Sequence, residues 1–178
     1  MNKARIPQRV CLLLGLLLAG FLWLPFPTLG QGAAWQVEIG DIVYSVDISD
    51  DGAVQVVGSR NDSVQAFDAA GNTRWQFEPG GTVWGVSTSA DGALTAVASE
   101  DRHVYLLDAA GRPLWDYPGG EIFLDVAITG DGALVAAVDE GRVVHALNGA
   151  DGALLWQVTL PSIAETVAVY GRETARVI

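Results

Sequence analysis

The sequence predicts an all-β fold: β-propeller blades of four antiparallel strands, preceded by an N-terminal apolar helix. Three observations carry this reading. Trp35, Trp75, Trp115 and Trp156 are spaced 40, 40 and 41 residues apart. The pairs Asp51-Gly52, Asp91-Gly92 and Asp131-Gly132 recur at 40 and 40. Val46, Val86 and Val126 keep the same register, and Val167 continues it at 41. A period near 40 built from short strands and turns is the signature of propeller blades. Helical repeats of similar period need helix-length segments free of Gly, whereas here Gly or a polar turn recurs every eight to ten residues.

The leader comes first. Residues 1–9 are polar and basic, Val10–Leu24 is an apolar run, and small residues follow Pro25 and Pro27. Basic, apolar, then small is the layout of a secretory signal peptide. The run is shorter than the about 20 residues a spanning helix usually needs. Segment 1–34 therefore reads as a signal peptide, cleaved after Gly30 or Ala34, or as an uncleaved membrane anchor. Both place the rest outside the cytoplasm, because the basic flank stays inside. Cys11, the only cysteine, lies in this segment, so the domain beyond it has no disulfide or thiolate site.

The repeats occupy 35–178, with blades expected at 43–77, 83–117 and 122–158. In the first, strand A is β-branched and aromatic (Val43–Ser49). Asp51-Gly52 closes a hairpin to strand B (Ala53–Gly58). The loop Ser59-Arg60-Asn61-Asp62 leads to strand C (Ser63–Phe67), and the turn after Asp68 leads to strand D around Trp75. Pro113 falls in a strand D, an outer edge where a missing donor is tolerated. At the ends, residues 34–39 match a lone outer strand D, and 163–178 match a partial blade with strands A and B. Propellers of this kind close with about seven or eight blades. The expectation is thus an open arc, a fragment of a larger propeller.

Charge narrows the partners. The chain carries −11, and its three charges before Gly30 are all positive, which leaves −14 beyond it. Such a surface is a poor one for nucleic acid, whose phosphates need Lys and Arg. It is also repelled by anionic lipid. A membrane enters only through the N-terminal segment, where that is retained.

At the docking tryptophans the chain resembles the PQQ-like (quinoprotein-type) β-propeller repeats. Their motif, A-x-D/N-x-x-x-G-x-x-x-W, is matched in full by Ala146 through Asn148 and Gly152 to Trp156. Ala66, Asp68, Gly71 and Trp75 match it with one residue deleted, as do Leu106, Asp108, Gly111 and Trp115 with Leu in place of Ala. The Ser/Thr-x-Asp-Gly turns at Ser49, Ser89 and Thr129 also look like those of WD40 propellers. The resemblance implies that Trp35, Trp75, Trp115 and Trp156 are packing residues between blades. It does not transfer the quinoprotein dehydrogenases' catalytic Asp, Ca²⁺ ligands or quinone site, for which no motif is present. The expectation is no catalytic, metal or cofactor-binding residue and no cofactor.

The remaining polar residues are weighed singly. His103 and His145, the only histidines, fall at different positions of strand C, and zinc needs three or four convergent ligands. The acidic pairs Asp50-Asp51, Glu100-Asp101 and Asp139-Glu140 lack Ca²⁺-loop spacing. B–C loops and D–A crossovers share one face of a propeller. That face, with Arg60, Asn61, Asp62, Glu100, Asp101, Arg102, Glu140 and Arg142, is the candidate binding surface, because it differs from blade to blade. The leading expectation is a noncatalytic extracytoplasmic module that binds a protein or surface polymer. Alternatives are the N-terminal part of a quinoprotein-like oxidoreductase and a membrane-anchored sensor ectodomain.

Overall fold

The structure is a computed structural model, and it describes residues 35–170 and 174–177. The expected leader helix at 1–34 lies outside the described residues. The described residues form fourteen strands and no helix. Strands β1 (Val43–Ile48), β2 (Val54–Ser59), β3 (Val64–Asp68) and β4 (Thr73–Phe77) pair in chain order as one antiparallel sheet. So do β5 (Val83–Thr88), β6 (Thr95–Ser99), β7 (His103–Leu107) and β8 (Pro113–Pro118). The third sheet is β9 (Phe123–Ile128), β10 (Leu134–Asp139), β11 (Val143–Asn148) and β12 (Leu154–Thr159). A two-stranded sheet of β13 (Val167–Tyr170) and β14 (Thr174–Val177) follows.

The expected outer strand at 34–39 does not form: Trp35–Ile39 belongs to no sheet. A D strand takes its backbone partners from the C strand of its own blade, and the described residues offer this segment no such partner. The partial blade expected over 163–178 starts its first strand at Val167 instead of Ile163, because 161–166 is spent on the crossover.

The core lies between blades. One cluster joins Val54, Val64, Ala66 and Trp75 to Val83, Val86 and Val97. A second joins Ala96, Val104 and Leu106 to Phe123, Val126 and Val135. A third sets Ala127, Ala136 and Val138 against Ala164 and Val167. A strand packed on both sides must be apolar on both faces, and β6 and β10 are buried at every residue. Among the described residues blade 1 has no such cover on its other side: Val46 is 67% exposed and Ile48 56%. No sheet closes on itself among the described residues.

Candidate functional site

The first strands of the blades, β1, β5, β9 and β13, together line a cavity of about 320 Å³. Short polar side chains there tie each blade to the next. The Ser45 hydroxyl accepts from the Val86 amide at 3.1 Å, and Asp47 Oδ2 from the Thr88 amide at 2.7 Å. Ser87 accepts from the Ile128 amide at 3.3 Å. Asp125 Oδ2 accepts from the Val167 amide at 2.9 Å and the Thr166 hydroxyl at 2.7 Å. The two channel carboxylates thus satisfy backbone donors that have no strand partner.

The B–C loops and the crossovers meet on one face, and backbone bonds fasten them together. The amides of Arg60, Glu100 and Glu140 donate to the carbonyls of Ile42, Thr82 and Ile122 in the crossover entering each blade. The crossover leaving the blade is held too. The Gly119 amide donates to the Arg102 carbonyl and the Leu160 amide to that of Arg142, while the two guanidinium groups donate to Gly120 O and Pro161 O. Asp62, Arg102 and Arg142 take positive φ of 61°, 71° and 69°. That conformation is uncommon for residues with a Cβ, and at Arg102 and Arg142 these bonds hold it.

The side chains differ. Arg60 pairs with Asp41 at 2.8 Å. Asn61 turns back to accept from Ser59 and Ser63. Asp62, Glu100 and Glu140 are exposed. Asp101 is turned inward: Oδ2 accepts from the Gly80 amide at 2.7 Å and the Tyr105 hydroxyl at 2.6 Å, and Oδ1 from the His103 amide. Burial raises the pKa of Asp101, but these hydrogen bonds outweigh it and hold the carboxyl below its ordinary range. The same burial, with the Asp101 carboxylate, pushes the Tyr105 phenol up. In blade 3, His145 Nε2 lies 2.9 Å from Asp139 Oδ2, and Tyr117 Oη 3.3 Å from Nδ1. His145 and Asp139 are both buried. His103 and His145 do not converge, and the described residues contain no group of three His, Cys, Asp or Glu placed to hold a metal.

The tryptophans dock on the C–D turn of the following blade. Trp35 lies on Gly71, Trp75 on Gly111 and Trp115 on Gly152, where an added Cβ would come within 2.6, 2.7 and 2.8 Å of the indole. Only glycine leaves room, and each also has positive φ. Trp35 and Trp115 donate their indole N–H to Ala69 O and Gly149 O. Trp156 is placed differently. It is 44% exposed, because no described blade presents a C–D turn to it.

One feature of this face escaped the sequence reading. In each blade the A–B ladder shifts register around the second residue of strand A: Tyr44, Trp84 and Leu124. Such a bulge leaves its residue unpaired and re-aims the side chain. The 40-residue recurrence of a large side chain here was its only signal. Tyr44 stacks on Trp84 with centroids 4.6 Å apart. Trp84 and Leu124, with Glu140 of a B–C loop and Ile163 and Glu165 of a crossover, line a cleft of about 370 Å³.

A family model described as outer membrane protein assembly factor BamB matches residues 60–176. Among solved structures, BamB from Moraxella catarrhalis is 25% identical with a TM-score of 0.63, over 73% of this chain and 41% of that one. U3-55K is 13% identical with a TM-score of 0.71, over 77% and 45%. The WD40 repeats of RRP9 are 14% identical with a TM-score of 0.70, over 77% and 44%. The last two likenesses show the fold alone. The chain spans less than half the length of each of these three structures. No curated protein matches the sequence.

Proposed function

The chain belongs to the family described as outer membrane protein assembly factor BamB, and from that premise we propose that it is a noncatalytic, extracytoplasmic propeller module that binds a protein partner in outer membrane protein assembly. The binding surface is the face of B–C loops and crossovers. One observation carries this choice: each B–C loop is pinned by a backbone bond to the crossover entering its blade, while Glu100 and Glu140 stay exposed. A rigid frame that presents blade-specific side chains is the arrangement by which loops on a scaffold recognise a partner. The polar groups that turn inward, Asp101 and the Asp139–His145 pair, are spent on internal hydrogen bonds. The extracytoplasmic placement draws on the basic, apolar and small-residue order of segment 1–34.

The test is genetic. Loss of the gene should lower the outer-membrane content of β-barrel proteins, and the wild-type chain should restore it. A chain with Glu100→Arg and Glu140→Arg should fold and localise normally but restore it poorly. Normal barrel levels in the deletion strain, or protection of the chain from protease added to spheroplasts, would overturn the proposal.

A further inference from the structure

We infer that the cleft between Trp84, Leu124 and Ile163 receives a basic, aliphatic segment of a partner protein, its aliphatic side chain against the apolar wall and its Arg or Lys between Glu140 and Glu165. This names the partner chemistry of the face assigned above and rests on that reading.

The lining, its charge and the size of the cleft support it. The wall is apolar: Trp84 and Leu124 are half-buried there, and Ile163 remains 54% exposed. The two charged residues in the lining are both carboxylates, and neither side chain forms an ion pair with another described residue. The cation on the same loop, Arg142, donates to the Pro161 carbonyl and forms no ion pair with either glutamate. At about 370 Å³ the cleft takes a few side chains and not a folded surface. The −14 charge of the chain beyond Gly30 favours approach of a cationic segment over an acidic one.

The test uses the full-length protein and three fluorescein-labelled peptides read by fluorescence anisotropy. The probes are acetyl-Gly-Leu-Arg-Leu-Arg-Gly-amide, the same peptide with Glu for Arg, and the same peptide with Ser for Leu. The first should bind, and the other two should bind about tenfold more weakly or not at all. Joint Glu140→Gln and Glu165→Gln should weaken binding about fivefold to tenfold and flatten its salt dependence, the scale of two partly exposed ion pairs. Ile163→Ser, at an exposed position, should weaken it several-fold without changing the melting temperature. Three results would overturn the inference. They are no binding of the first peptide, equal binding of the acidic or the Ser-containing peptide, and unchanged affinity in both variants. Such a failure with the barrel-assembly defect intact leaves the function reading standing and removes only this cleft from it.

Discussion

Replacing Trp75 by Ala should destabilise the domain by about 3–5 kcal/mol, the range for large aromatics deleted from a core. Trp75 is 9% exposed and packs in the cluster that joins blades 1 and 2. An aromatic of this kind buries roughly 150–250 Å², which at about 25 cal/mol per Å² is about 4–6 kcal/mol of transfer free energy. The ring also fills the space over Gly111, which no neighbouring chain can occupy without moving a turn. Trp156 is the internal control. It has the same place in the repeat, but it is 44% exposed and covers no glycine among the described residues. Trp156→Ala should therefore cost less than half as much. Urea denaturation of the two variants, followed by far-ultraviolet circular dichroism, reads the difference. Equal losses for Trp75→Ala and Trp156→Ala, or a Trp75 loss below about 1 kcal/mol, would refute the account of docking between blades. Trp35→Ala should fall between them, since this indole is docked on Gly71 but its segment lacks strand partners.

Gly111→Ala should cost about 2–4 kcal/mol, through its φ of +75° and a Cβ 2.7 Å from Trp75, and the same denaturation measurement checks it. Asp101 has a depressed folded pKa, so its stabilising contribution is full above the unfolded carboxylate range and is lost as pH falls through the folded value. Urea midpoints taken from pH 6 down to about pH 3 should therefore fall more steeply for wild type than for Asp101→Asn, which is less stable at pH 6. Parallel curves would remove Asp101 from the acid response. Asp125→Ala removes the acceptor of the Val167 amide and the Thr166 hydroxyl. It should speed hydrogen exchange at Val167 by about tenfold or more, the scale of a charge-assisted bond, while the Thr88 amide, held by Asp47, keeps its rate.

The blade pattern was legible because it is local and repeated. Asp51-Gly52 and its two copies mark A–B hairpins by turn chemistry alone, and the strands between turns are short, β-branched and apolar. The face shared by B–C loops and crossovers followed from the order of strands in a blade. The sequence could not rank the residues on that face. Glu100 and Asp101 are adjacent acids in one loop, yet Glu100 faces solvent and Asp101 is consumed by Gly80 and Tyr105. That difference depends on a crossover 21 residues away. The bulges at Tyr44, Trp84 and Leu124 were equally hidden, since a register shift is a property of two paired strands and not of either one.

By itself, the sequence determined the strand order, the turn positions and the period of the fold. Each of these rests on backbone propensity and burial patterns that act within about 40 residues. Tertiary structure decided what each repeated residue does. Trp75 and Trp156 carry the same motif, and only the presence of a next blade makes one a core residue and leaves the other half in solvent. Glu140 and Glu165 come from a loop and a crossover and share a cleft with Trp84 and Leu124 of two neighbouring blades. The physical reason is that a propeller buries its side chains between units, so a residue's environment is set by the neighbouring blade, which its own repeat does not encode.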